Sequence, residues 1–343
     1  MKVLITGGAG FIGFHLAKQL SSDGFDVHIA DNFQRGKRDN DFNLLLKKKN
    51  VRLVPIDITK ESQFSKLDKD YHQIYHFAAI NGTGNFYRIP DQVLKVGAVG
   101  TINVLEWFST KNKGGKILFS SSSETYSGLL GLLGNKFKIP TPEDVPLIVD
   151  DPKNSRWSYG ASKILGEVAF FSYAKARNFS KFAIIRYHNI YGPRMGHEHV
   201  IPQFVERIIR KEKPFKIFGS EQTRSFCYVD DAVKATQIVM EADKTNGEII
   251  HIGRDDDEIK IIDLAEELFD IADYHPKIKI EKEAQGTVQR RCPDITKLRK
   301  LGFKPKVELR VGLKKTYEWY KKYFEKSQAA GGKSFIKAKN LTI

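Results

Sequence analysis

The chain has 343 residues, 41% of them hydrophobic, and a formal net charge of +15. That length suits one large domain or a main domain with a smaller partner, and that apolar fraction excludes disorder as the default state. The lysines are scattered, as in KKKN, KNKGGK and RKEKP, which reads as a solvated surface and not as a nucleic-acid interface, where basic and aromatic residues interleave.

No apolar run approaches the roughly 18–20 residues that a bilayer-spanning helix needs. The opening MKVLITGGAGFIG also lacks the build of a secretory leader. Cys227 and Cys292 have no metal-type spacing and point to a reducing compartment. The expected location is cytoplasmic.

In chain order, KVLIT predicts a strand, TGGAGFIG a glycine turn, FIGFHLAKQLSSDG a helix and FDVHIAD a second strand ending in an acid. Further strands are expected at VRLVPID, QIYHFAA, GKILFSS and FAIIRYH, with helices at DQVLKVGAVGTINVLEWFSTK and SYGASKILGEVAFFSYAKARN. Strands alternating with helices imply a doubly wound parallel sheet, a Rossmann-type α/β domain over 1–185. From Arg186 the order of elements becomes mixed. Residues 186–326 are expected to form a smaller C-terminal α/β substrate-binding region over the carboxyl ends of the strands, where open sheets bind ligands. VGLKKTYEWYKKYFEKS reads as a last amphipathic helix, and 327–343 as a loosely ordered tail.

The turn contains Gly8-Ala9-Gly10-Phe11-Ile12-Gly13 and also the spacing Gly7, Gly10, Gly13. Glycines there permit a tight turn and let backbone approach a pyrophosphate, which then faces the N-terminus of the helix opened by Phe11 and Ile12. Asp31 ends the second strand 18 residues after Gly13. An acid at that point can accept hydrogen bonds from ribose hydroxyls and repels a 2′-phosphate, so the expected cofactor is NAD. Arg35, Lys37 and Arg38 follow closely and keep NADP as the lesser reading. Asn32, Asp57, Ile58 and Ala78 complete the expected cofactor contacts.

Tyr159 and Lys163, in YGASK, are four residues apart and so share a helix face. An ammonium beside a phenol favours phenolate, which predicts a lowered tyrosine pKa and a base for a hydroxyl proton; the same lysine can hold the cofactor's ribose.

TGGAGFIG, Asp31, SSSSETY, YGASK and RSFCYVDD together resemble the extended short-chain dehydrogenase/reductases, and more narrowly their nucleotide-sugar epimerase, dehydratase and decarboxylase group, over roughly residues 1–325. The resemblance implies bound NAD, a nucleoside diphosphate sugar as substrate, and oxidation of the sugar's C4 hydroxyl as the first step. It implies a homodimer formed through helices near 91–112 and 157–178. Tyr159 would be the base, Lys163 its partner, and Ser122 a hydrogen-bonding group at the same hydroxyl. Asn189 would contact substrate, and Arg224 and Arg291 the diphosphate or the sugar end, roles that suit guanidinium forks. His188, Glu198 and His199 have no third ligand at useful spacing, so no metal is expected.

Ser122-Ser123-Glu124 discriminates among chemistries on this scaffold. An epimerase needs no acid after the hydroxyls. The resembling dehydratase motif is Thr/Ser-Asp-Glu, and Ser123 stands in the aspartate's place. The decarboxylase motif is Thr/Ser-Ser-Glu, which matches, and once C4 is a ketone a C5 carboxylate is a β-keto acid that loses CO2 readily. The expected activity is UDP-glucuronate decarboxylation, with C4-epimerase, 4,6-dehydratase and C4-dehydrogenase as alternatives and a catalytically silent NAD-binding regulator as a remote one. The chain departs from the pattern at YGASK (usually YDEGK), at Ser127 (usually glycine), at Gly97 (usually asparagine) and along Ala78–Asp91, the substrate-side loop.

Overall fold

In the computed structural model, which describes residues 1–282 and 288–329, Val3, Leu4 and Ile5 are all fully buried in β1 (Lys2–Thr6). Consecutive rather than alternate apolar residues are what a strand covered on both faces requires. Val3 and Ile5 join one apolar core and Leu4 the other, as the period of two dictates.

β1 is an inner strand of a seven-stranded sheet. With β2 (Asp26–Ala30), β3 (Val51–Val54), β4 (Gln73–His76), β5 (Lys116–Ser122), β6 (Phe182–Tyr187) and β7 (Glu248–Ile252) it forms the order β7-β6-β5-β4-β1-β2-β3. Every pairing in it is parallel. The order reverses between β1 and β4, and such a switch point opens a crevice at the carboxyl ends of the strands.

The helices Pro90–Lys111 and Trp157–Arg177 pack side by side. A Cβ on Gly97 would lie 2.3 Å from Ser162 Oγ, so the serine fills the space a side chain at 97 would need. The two departures from the family pattern on these helices are thus matched to each other.

After β6, strands on either side of β7 in the chain form three small sheets among the described residues. Thr223–Ser225 lies between Glu258–Lys260 and Arg290–Arg291; Ile190–Tyr191 pairs with Cys227–Tyr228, and Phe215–Phe218 with Ile278–Glu281. The helix Leu309–Ala329 comes back to the N-terminal half, where Trp319 Nε1 donates to Asp41 Oδ2 at 2.9 Å. It runs into the stretch expected to be a loose tail; residues 330–343 of that tail lie outside the described residues. Among the described residues no helix is long and apolar enough to cross a membrane.

One ion pair is sealed in the core. Arg186 of β6 donates through Nε and Nη2 to the two carboxylate oxygens of Glu167, at 2.8 and 2.7 Å, and through Nη1 to Glu143 O at 2.8 Å. Ser121 of β5 donates to the same Glu167 carboxylate. Removing one partner of such a pair leaves a buried charge uncompensated, at about 3–5 kcal/mol. Glu167→Ala is therefore expected to lower the urea midpoint of unfolding sharply, whereas substitution of the exposed Glu221 of the Lys260–Glu221 pair should leave it nearly unchanged.

Candidate active site

The turn after β1 is built for close approach. Gly7 has φ +74° and touches Ala78 so tightly that a Cβ would sit 2.7 Å from Ala78 Cα. At Gly13 a Cβ would meet Gly7 O at 2.4 Å, so the helix Phe11–Ser22 can start against the turn only with glycine there. Asp31, at the end of β2, accepts from Ala9 N at 2.9 Å and Phe33 N at 2.8 Å. Burial pushes its carboxyl up, and these two N–H donors pull it back. The acid is thereby fixed beside the turn, while Arg35 is bonded to Asn81 O, Lys37 lies over the Tyr323 ring and Arg38 faces Asn43. Asp57 is turned inward to Thr59 N and Oγ1.

At the end of β5, Lys163 Nζ donates to Ser120 O at 2.6 Å and lies 5.7 Å from the centroid of the Tyr159 ring. Burial brings the lysine down to about 7, against the pull of Glu167. Burial likewise pushes the Tyr159 phenol up, opposed by Ser122. The lowered phenol pKa expected from the Tyr–Lys spacing is not found, because the ammonium is drawn to the strand carbonyl and desolvation dominates.

Ser122 Oγ accepts from Glu124 N at 3.2 Å and starts the short turn that carries Glu124. The Glu124 carboxylate is held between two guanidinium groups. Arg156 reaches Oε2 through Nε and Nη2, at 3.1 and 2.7 Å, and Arg291 Nη1 reaches Oε1 at 2.5 Å. Ser127 Oγ accepts from Arg291 Nη2 at 2.9 Å and donates to Glu124 Oε2 at 3.2 Å, so the serine that replaces the usual glycine is the third member of the clamp. Burial alone would raise the Glu124 pKa; Arg291 and Arg156 overcome it and hold the group well below the usual carboxylate range.

A single cavity of about 570 Å³ is lined by Gly7, Gly10, Phe11, Ile12, Gly13, Asp31, Asn32, Asp57, Ile58 and Ala78 at one end, and by Ser122, Ser123, Glu124, Tyr159, Lys163, Asn189, Arg224 and Arg291 at the other. Asn189 Nδ2 donates to Ser225 O at 3.1 Å. Arg224 is braced by main chain, with its donors on Thr223 O, Gln289 O, Val288 O and Gln222 Oε1. His188 faces Tyr126 and His251, whereas Glu198 faces Asn85 and Arg35. Arg156, Trp319 and Tyr320 also line the cavity and were not expected from sequence. Arg156 carried a signal, since it lies one helical turn before Tyr159; the two aromatics, far along the chain, carried none.

The folded-state value near 7 for Lys163 has a thermodynamic consequence. Between that value and the ordinary 10.5 the unfolded chain binds more protons than the folded one, so this group makes stability rise with pH through the window. Lys163→Met is expected to raise the melting temperature of the cofactor-free protein by a few degrees near about pH 6, and the gain should shrink toward about pH 9. Calorimetry at the two pH values checks it.

The chain matches the model of the NAD dependent epimerase/dehydratase family over residues 3–253. It is similar to the UDP-N-acetyl-alpha-D-glucosaminuronate decarboxylase of Bacillus cytotoxicus, with 34% identity over 93% of this chain and 98% of that one. It is also similar to UDP-glucuronic acid decarboxylase 6 of Arabidopsis thaliana, with 34% identity over 91% and 87%. Among solved structures, the UDP-glucose 4-epimerase of Thermotoga maritima superposes with a TM-score of 0.80 and 30% identity, covering 94% of this chain and 100% of that one. The glycine cradle and the fixed Asp31 carboxylate suit the dinucleotide this family uses. The chain is an enzyme of the NAD dependent epimerase/dehydratase family.

Proposed function

We propose that the enzyme decarboxylates a UDP-hexuronic acid through a 4-keto intermediate. The observation that carries the reading is the clamp on Glu124. A carboxylate held between Arg156 and Arg291 stays ionised and is a weak base. That suits neither removal of a C5 proton nor protonation of a C6 hydroxyl, the two tasks a 4,6-dehydratase assigns to acids here. Loss of CO2 from a β-keto acid needs no base.

Tyr159, aided by Ser122 and Lys163, takes the proton of the C4 hydroxyl. The cofactor supplies the acceptor for the C4 hydride and then its donor. With C4 a ketone, the bond from C5 to the carboxylate breaks, CO2 leaves, and its electron pair forms the enolate. A proton from solvent at C5, and return of the hydride to C4 and of the Tyr159 proton to its oxygen, complete the cycle with no net oxidation. Glu124, fixed as an anion, opposes the substrate carboxylate and favours its departure. Arg291, whose guanidinium lines the same end of the cavity, is placed to meet that end of the sugar.

Mass spectrometry after incubation with NAD and UDP-glucuronate or its 2-acetamido analogue is expected to show loss of CO2. Loss of water, or a change of configuration at constant mass, would refute decarboxylation. Glu124→Gln should leave C4 oxidation intact and slow CO2 loss by about 10²-fold; equal loss of both steps would remove Glu124 from the later one.

A homodimer through the paired helices is part of the same reading. Leu94, Val99, Leu165, Val168 and Phe171 on Pro90–Lys111 and Trp157–Arg177 are 42–57% exposed, an apolar stripe that a second copy would cover. Val168→Asp is expected to halve the mass seen by sedimentation; an unchanged mass would place the contact elsewhere.

A further inference from the structure

The segment Ala78–Asp91 departs from the family's usual loop, and the scheme above gives it no task. Within it, Thr83–Arg88 is a short helix. Its Phe86 lies face to face on the Tyr159 ring, with centroids 4.9 Å apart and planes 10° apart. Both residues are buried, at 5% and 7% exposure. Ile80, Phe86, Val93 and Tyr159 form an apolar cluster separate from the two cores that flank the sheet. The ring of the expected base is therefore supported by this segment rather than by the sheet.

The segment is itself pinned. Asn85 Nδ2 donates to Asn81 O at 2.9 Å and to Glu198 Oε2 at 3.3 Å, and Arg88 Nη2 donates to Asn85 Oδ1 at 2.5 Å. Gly82 has φ +115°, and a Cβ there would collide with the Glu198 carboxylate. A side chain at 82 would therefore displace the Glu198 carboxylate that Asn85 bonds. A stacked pair contributes about 0.5–1.5 kcal/mol beyond its burial, a small share of stability. Its larger effect is geometric, since a ring held on one face has its hydroxyl fixed.

We propose that Phe86 is a positioning residue for Tyr159: it fixes the ring for proton transfer at the C4 hydroxyl and keeps water from one face of the phenol. The inference rests on Tyr159 being the group that takes that proton. Facing the ring are Lys163 from its own helix, Ser122 and Glu124 from the end of β5 and its turn, the apolar Ile80 and Phe86 from the segment, and Val93 from the helix Pro90–Lys111. Phe86 thus acts through hydration and geometry and not through charge. Burial is what pushes the phenol up, so opening one face brings it down.

Removing the ring then has two effects of opposite sign. Proton transfer slows because the hydroxyl is no longer held, and the pH at which the step switches on falls because the phenol is better solvated. A residue that only contributes to folding would produce the first without the second.

The test is single-turnover oxidation of UDP-glucuronate by the NAD-loaded enzyme, read as NADH absorbance against pH, with melting temperature and bound NAD measured alongside. Phe86→Ala is expected to slow the step by about 10²-fold at its plateau and to lower its pH midpoint by roughly one unit. Phe86→Tyr, which keeps the stack, should restore both. If Phe86→Ala does not fold, Phe86→Leu serves, with a slowed step and a smaller lowering of the midpoint expected, because leucine covers part of the ring. A slowed step with an unmoved midpoint, or wild-type behaviour on both counts, would overturn the proposal. Absence of NADH from the wild-type enzyme with UDP-glucuronate and with its 2-acetamido analogue is a distinct result; it refutes the 4-keto reading and this inference with it.

Discussion

The buried pair between Arg186 and Glu167 sets the register of the whole site. Arg186 belongs to the sheet and Glu167 to the helix Trp157–Arg177, and Ser121 ties both to β5. At the N-cap of that helix and along it, Arg156, Tyr159, Lys163 and Glu167 recur at three- and four-residue steps, so they form one face. Opposite them stand Ser120, Ser121, Ser122 and Glu124, along the end of β5 and its turn. A slide of the helix by one residue, about 1.5 Å, would break every one of these contacts. The ion pair contributes little net energy against desolvation, and its value lies in admitting only one alignment.

Much of this was legible in the sequence because it follows local rules. The glycine spacing, the acid at the end of the second strand and the alternation of apolar runs with helical patterns each determine structure within about 30 residues of chain. The i, i+4 spacing likewise put Tyr159 and Lys163 on one face. The clamp on Glu124 was not legible, because Arg291 comes to it from a strand 167 residues away and nothing local marks its partner. The phenol's raised pKa escaped for a different reason. Spacing suggests an ammonium near a ring, whereas the balance between charge and desolvation depends on where that ammonium is bonded, and Ser120 O takes it.

The departures from the family pattern are compensated where they occur. Gly97 makes room for Ser162, Ser127 completes a hydrogen-bonded triangle with Glu124 and Arg291, and the altered substrate-side segment supplies Phe86. Each change removes or adds a group beside the same cavity, and each has a neighbour that accepts it. A scaffold can diverge this way without losing its sheet, because the sheet is stabilised by burial on both faces and not by the loops at its carboxyl end.

The wall formed by Trp319 and Tyr320 links the cavity to the order in which the chain is made. The glycine turn near residue 7 and the helix Leu309–Ala329 face one another across the same space. At about 5–20 residues per second, roughly 15–60 s separate their emergence from a ribosome. Throughout that interval the nascent chain carries a dinucleotide cradle with one side open, and the hydrogen bond from Trp319 to Asp41 cannot form. The cavity acquires this wall only once residue 320 has emerged, so its full lining belongs to the chain folded through that helix.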